Sequence, residues 1–313
     1  MSTLSYFISR ILQIIPTFLI VMVIIFLLVR ALPGDPAIAM ADAKATAEQL
    51  EQIRQRLGLN EPVWVQFGYF VKNTLSGDLG NSILLKAPVR EVIFERLPAS
   101  GFLALYSVLF SLLIAGPLAF VAALNRNSWI DVTIRSVFQI GLSTPVFYMG
   151  LLLLTFLAAQ MRWFPVGGYG TTFWEHMHHL LLPALTVALY TSAIIMRNLR
   201  SSVIEVVDAE YVQFARAKGL TEHIILGRHV LRNALISTVT LLGLSIGNLM
   251  SGTLVTETVF GVPGVGRLML DAIFARDYPL IQGLTLTFAV LVSLIFLLTD
   301  MLQAMLDPRL RVA

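Results

Sequence analysis

The chain has 313 residues, 57% of them apolar and only 13% charged, with a formal net charge of +3. Soluble domains carry about 25% charged residues, so this composition excludes a large soluble protein with an oily core. The absence of cysteine excludes disulfides, thiolate metal sites and a cysteine nucleophile, and the basic balance, with no Lys/Arg cluster interleaved with aromatics, fits the retained cytoplasmic cations of a membrane protein rather than nucleic-acid binding.

Six apolar segments are expected to cross the bilayer: Ile11–Ala31, Ser100–Leu124, Phe138–Ala159, Leu180–Met196, Ala234–Val255 and Leu280–Leu302. The first would be about 31 Å long as a helix, enough for the hydrocarbon core. It is also longer than a signal-peptide core of roughly 7–15 residues, so it is expected to remain as an anchor even though Ala39-Met-Ala41 resembles a cleavage site. Pro16, Pro117, Pro145 and Pro183 fall inside these runs, where neighbouring helices can satisfy the freed carbonyls.

Orientation follows the distribution of Lys and Arg. With the N-terminus inside, Arg10, Arg126, Arg135, Arg197, Arg200, Arg216, Lys218, Arg228, Arg232, Arg309 and Arg311 are cytoplasmic, against Arg162, Arg267 and Arg276 in the short outer loops. Both termini are therefore expected in the cytoplasm. The chain divides into an N-terminal segment and first span (1–31), an extracytoplasmic segment (32–99), a five-helix core (100–305) and a cytoplasmic tail (306–313). A cytoplasmic loop, 197–233, interrupts the core.

The outer segment contains a predicted helix at Ala47–Leu57, with Leu50, Ile53 and Leu57 at helical spacing and Gly58 as its stop. Trp64, Phe67, Tyr69 and Phe70 follow, as an interfacial aromatic belt or as a docking surface. Further along, Glu175-His-Met-His-His179 could place His176 and His179 on one helix face, but it meets the membrane edge and no second ligand cluster accompanies it. No metal site is expected.

The cytoplasmic loop holds the most specific pattern. Asp208 is expected to cap a helix with Glu210 in its first turn. Tyr211, Phe214 and Ala215 share a face. Lys218 falls in the last turn and Gly219 suits a position needing positive φ. Thr221 would cap a second helix carrying Ile224, Ile225 and Leu226. Small Ala215 and Ala217 permit close approach. The pattern describes either a helical knob offered to a cytoplasmic partner or an amphipathic loop lying on the membrane.

Gly261-Val-Pro-Gly-Val-Gly-Arg-Leu268 nearly matches a phosphate-binding loop. Arg267 stands at the lysine position, Leu268 supplies no hydroxyl for magnesium, and the run follows a span rather than a strand. A rigid, glycine-turned outer loop is the better reading. Arg30 and Asp300 lie near span ends, and none of the six segments carries a mid-span Asp, Glu, Lys or His. Ion-driven carriers usually place such groups there, so an autonomous secondary carrier or channel is the second choice. An intramembrane enzyme lacks its acids or nucleophile pair.

Four ordered stretches carry a family resemblance. Glu210-Tyr-Val-Gln-Phe-Ala-Arg-Ala-Lys-Gly-Leu220 with Arg228-His-Val-Leu-Arg-Asn-Ala-Leu235 resembles the EAA loop of permease subunits of binding-protein-dependent ABC importers, and more narrowly the dipeptide/oligopeptide/nickel group. Leu32-Pro-Gly-Asp-Pro36, Glu257 through Leu268, and Leu306-Asp-Pro-Arg-Leu-Arg311 resemble the same group in the same order. Gln213 and Leu231-Arg232 depart from the broader EAA pattern, which weakens any charge-based contact at Gln213.

The resemblance implies an all-α membrane protein, with six transmembrane helices in the type I ABC importer permease architecture of a bacterial inner membrane. It implies a non-catalytic half of a translocation pathway for peptides or a related small solute. The implied partners are a homologous second permease subunit, two cytoplasmic ATPase subunits that carry ATP and magnesium, and an extracytoplasmic solute-binding protein. Glu210, Tyr211, Phe214, Ala215, Arg216, Ala217, Lys218, Gly219 and Leu220 would form the ATPase-coupling loop. Glu257, Gly261, Pro263, Gly264, Gly266 and Arg267 would shape the outer loop. Asn248, Ser251 and Thr253 are pathway candidates chosen from polarity alone.

Overall fold

The computed structural model describes residues 3–31, 46–56 and 59–306. Helices dominate them: α1 (Thr3–Ala31), α2 (Ala47–Arg56), α3 (Val63–Leu75), α4 (Val89–Leu124), α5 (Trp129–Ser143), α6 (Val146–Leu153), α7 (Phe173–Val207), α8 (Glu210–Ala217), α9 (Glu222–Ile224), α10 (Arg232–Val259), α11 (Val265–Ala275) and α12 (Tyr278–Leu306). α6 and α9 continue as π-helical turns at Leu154–Gln160 and Ile225–Leu231. Such turns often mark functional sites.

Among the described residues, α1, α4, α7 and α12 are each long and apolar enough to cross a membrane. α4 begins at Val89, well before the predicted Ser100. α7 runs for 35 residues, beyond the predicted Leu180–Met196 at both ends; a capping box of Thr172 and Glu175 sets its start and it continues to Val207. α10 runs for 28 residues.

The third predicted span is not one straight helix. α5 and α6 meet at a bend of 101°. Thr144, the residue before Pro145, is extended (φ −88°, ψ 126°), as steric conflict with the proline ring favours. Its amide and hydroxyl both donate to the Ile140 carbonyl, at 3.1 and 2.8 Å.

The core runs along α4 and α7. Ser107, Ser111, Ala115 and Ala119 of α4 recur every fourth residue and are fully buried. Small side chains allow close approach of helices where lipid gives no hydrophobic push. The serine hydroxyls donate back to Leu103 and Ser107 carbonyls, at 2.7 Å each, so no polar atom is stranded there. Pro98, Pro117 and Pro183 lie within continuous helices.

Candidate functional site

The predicted elbow starts where α7 ends. Asp208 is the C-cap of α7 rather than the cap of α8, correcting the predicted role; Ala209 takes that position. Asp208 instead accepts from Arg126 at 3.3 Å, tying the elbow to the loop before α5. Thr221 occupies the N-cap of α9 without a side-chain cap hydrogen bond.

α8 ends in a Schellman motif. Gly219 has φ +80°. Its amide donates to the Arg216 carbonyl at 2.9 Å, and the Leu220 amide reaches Ala215 at 3.3 Å. This is the positive-φ glycine stop expected of a helix that must turn sharply. Arg216 then clamps the turn, its Nε donating to Glu222 Oε1 at 2.8 Å and its Nη2 to Oε2 at 3.3 Å. The pair raises the Arg216 pKa and lowers that of Glu222.

The predicted shared face of Tyr211, Phe214 and Ala215 divides. Ala215 turns inward with Val212. Both join an apolar cluster with Ile225, Val230 and Ala234, and with Met196, Leu199 and Val203 of α7. Ala119 and Ala123 of α4 and Phe138 of α5 belong to the same cluster. Tyr211 and Phe214 stay uncovered, Phe214 at 66% exposure. Ala217, Lys218, Gly219 and Leu220 are exposed with them. The Tyr211 hydroxyl accepts from Asn233 at 3.1 Å, fixing one aromatic ring over the start of α10. Glu210 lies in the first turn of α8, where a carboxylate suits the helix dipole.

At the other end of α10, Glu257 is fully buried. Ser100 Oγ donates to its Oε1 at 2.5 Å and the Arg267 amide to its Oε2 at 2.9 Å. Ser100 Oγ also accepts from the Val265 amide at 2.9 Å. The start of α11 is therefore occupied by the chain's own carboxylate, and Gly264 and Gly266 leave the room it fills. This gives a physical reason for the phosphate-loop-like spacing that does not involve a nucleotide. Gly261 turns with φ +62°, Pro263 is half-buried, and the Arg267 side chain points outward toward Asp271 at 4.0 Å.

Three groups that carry this architecture were not singled out from the sequence. Ser100 is one. Asp277 is buried and accepts from Ser82 Oγ (2.6 Å), the Leu84 amide (2.9 Å) and the Leu280 amide (3.2 Å), joining the turn at 82–87 to the start of α12. Asp131 on α5 accepts from Arg200 Nε and Nη2 on α7, at 2.7 and 2.6 Å. Apart from the Asp277–Leu280 cap, each pairing joins residues far apart in sequence, so no local pattern announces it.

His176 and His179 support the fold: their Nδ1 atoms lie 2.7 and 2.8 Å from the Tyr169 and Gly167 carbonyls. No group of three or more potential metal-ligating side chains occurs among the described residues. Thr253 is buried, its side chain turned into the bundle. Asn248 and Ser251 fall outside the described side chains, as the motifs at 32–36 and 307–311 fall outside the described residues.

Two family profiles cover almost the whole chain. "Binding-protein-dependent transport system inner membrane component" matches residues 115–312, and the N-terminal profile of the same systems matches residues 3–104. The chain is 42% identical over 308 residues to the glutathione transport system permease protein GsiC of Pectobacterium atrosepticum, covering 98% of this chain and 99% of the relative. The protein of the same name from Escherichia coli K12 is 38% identical over the same span. A solved structure of the MetNI methionine ABC transporter in an inward-facing conformation aligns with a TM-score of 0.58 at 16% identity, over 69% of this chain and 96% of that one. That likeness speaks for the fold.

Proposed function

This chain belongs to the binding-protein-dependent transport system inner membrane components, and from that premise we propose that it forms half of an import pathway for glutathione-like peptides. As a family member it is a multi-pass inner-membrane permease subunit of an ABC importer, and ATP hydrolysis takes place on separate subunits.

In the proposed assembly a homologous permease subunit completes the pathway, and two ATPase subunits carry ATP and magnesium beneath it. A solute-binding protein delivers cargo from outside. The loop from Glu210 to Leu220 faces the cytoplasm and enters a groove on an ATPase subunit. ATP binding draws the ATPases together, and the elbow passes that displacement to α4, α5, α7 and α10. The outer loop around Glu257 and Gly264 holds the far end of α10 against α4 and α11, so movement of α10 reaches the outer gate.

The observation that supports this most directly is the division of α8. Its inward side, Val212 and Ala215, shares one apolar cluster with the ends of the spans, while Tyr211 and Phe214 are uncovered. An aromatic pair on a rigid element is a common anchor for a partner protein. A loop lying passively on the membrane would not need a core continuous with the bundle.

The test is co-purification of the tagged chain with its ATPase subunits, joined to glutathione uptake by cells that express the whole system. Phe214→Ala should leave the chain in the membrane at normal level, release the ATPases and abolish uptake. Normal uptake by Phe214→Ala, or uptake by the chain alone in liposomes, would overturn the reading.

A further inference from the structure

α5 has three distinct sides. Asp131 and Phe138 are buried against the bundle. A second side, Val137 and Ile140, is apolar and exposed, Val137 at 62%. The third side presents Arg135, Ser136, Gln139 and Ser143, all exposed. Helical geometry stacks these four along one flank. Arg135, Ser136 and Gln139 line a groove of about 620 Å³ between α5 and α7, with Ile140 at its edge, and the opposite wall carries Met196, Arg197 and Arg200.

The polar flank is connected. Arg197 Nη2 donates to Gln139 Oε1 at 3.3 Å, and Gln139 Nε2 donates to Ser143 Oγ at 3.3 Å. The chain of hydrogen bonds thus runs from Arg197 across the groove to Ser143, beside the bend between α5 and α6. The groove is also cationic. Asp131 is held by Arg200 and lies 3.2 Å from Arg135, so one carboxylate is shared by two guanidinium groups, and Arg197 adds a third cation to the groove.

Such a flank is costly against lipid tails. Polar side chains inside a membrane almost always face the bundle or a water-filled cavity. A helix break is tolerated at membrane depth only where protein or water covers it, and broken helices commonly border solute sites. A headgroup site would show a basic rim with apolar positions deeper in. Here Ser136 and Gln139 line the groove beside the arginines, and Gln139 hands the polar chain on to Ser143 at the bend.

We propose that this groove is the water-filled cytoplasmic exit of the transport pathway, and that Arg197 and Arg135 bind the carboxylate of cargo passing through it. Anionic, carboxylate-bearing solutes such as peptides with a free C-terminus fit this chemistry. The proposal rests on the importer reading and adds to it a location and a charge preference.

The natural chain has no cysteine, so single cysteines at Ser136, Gln139, Ser143 and Val137 report water access directly. The whole complex is placed in inside-out vesicles and treated with a membrane-impermeant methanethiosulfonate carrying a sulfonate, or its trimethylammonium counterpart. Ser136→Cys, Gln139→Cys and Ser143→Cys should react from the cytoplasmic side and Val137→Cys should not. At Gln139→Cys the anionic reagent should be favoured over the cationic one by about tenfold relative to a free thiol. Arg197→Gln should remove that preference and Arg197→Lys should keep it; Arg135→Gln is the second charge variant should Arg197→Gln fail to assemble.

Unreactive Gln139→Cys and Ser143→Cys would overturn the proposal. So would a charge preference unmoved by both arginine variants, or reactivity that appears only after anionic phospholipid is stripped away, which would mark a lipid site. Labelling needs no transport. A complex that labels as expected but takes up no glutathione with ATP would refute the proposed glutathione-like cargo while leaving the aqueous groove standing.

Discussion

Glu257 and position 264 compete for the same space: a β-carbon on Gly264 would stand 2.3 Å from the Glu257 carboxyl carbon and 2.4 Å from both of its oxygens. The carboxylate cannot swing aside without breaking the bonds from Ser100 and the Arg267 amide. Gly266 is constrained too, its β-carbon position lying 2.7 Å from the Leu254 Cα. Glycine is required at these positions by the room the carboxylate needs, since neither has a positive φ.

Gly264→Ala is therefore expected to destabilise the chain by about 1–3 kcal/mol, the usual cost of overpacking a tight interior. The effect should appear as a lower Tm of the detergent-solubilised complex. Combining it with Glu257→Ala removes the clash, so the double variant should lose less than the sum of the singles, by about 1 kcal/mol or more. Additive losses would show that the two positions do not share this space.

Gly219 presents the opposite case. A β-carbon there meets nothing within 4 Å, and only its φ of +80° resists substitution. Gly219→Ala should cost about 1–2 kcal/mol of loop order, Gly219→Asn less, and the β-branched Gly219→Val more. Because the strain is confined to the loop, membrane levels should stay normal while ATPase co-purification and uptake fall in that order. Unchanged uptake by Gly219→Val would separate the turn from coupling.

That contrast also explains what was legible in the sequence. The elbow could be read because a glycine-stopped amphipathic helix is a local pattern. The spans could be read because twenty apolar residues in a row have few alternatives. Pro145 was not recognisable as a break, because Pro117 and Pro183 sit in equally apolar runs and their helices continue. What distinguishes them is the tertiary setting, which no single run records. The glycines at 264 and 266 were visible, but their reason was not, since Ser100 and Glu257 are 157 residues apart. The split of α8 into a buried and an exposed side depended on which helix ends surround it.

The Asp131–Arg200 pair should behave as a brace between α5 and α7 at the level of the elbow. Arg200→Gln removes the bidentate partner of a carboxylate with no exposed surface. Breaking a fully buried pair costs about 3–5 kcal/mol. Here Arg135 remains 3.2 Å away and the adjoining groove is open, so a loss nearer 2 kcal/mol is expected, closer to partly solvated pairs. Melting of the complex gives the value. Asp131→Asn with Arg200→Gln should recover part of it, because no unpaired charge is then left inside.

The Arg216–Glu222 clamp gives the elbow a pH and salt signature. The hydrogen bond from Arg216 holds the Glu222 carboxyl below its ordinary 4.5. A carboxylate lowered in the folded state contributes order that is complete above its ordinary pKa and fades as pH falls through the depressed one. Arg216 stays charged throughout. Amide hydrogen exchange across residues 216–222 should thus be constant at neutral pH, after correction for intrinsic rates, and lose protection only on acidification through and below the ordinary carboxylate range. Both side chains are largely solvent-facing, so 1 M salt should weaken protection at neutral pH as well. Glu222→Gln should remove the acid transition and most of the salt response together. Protection that declines on acidification to the same degree in Glu222→Gln would assign the transition to another group and leave the clamp without a role in ordering the turn.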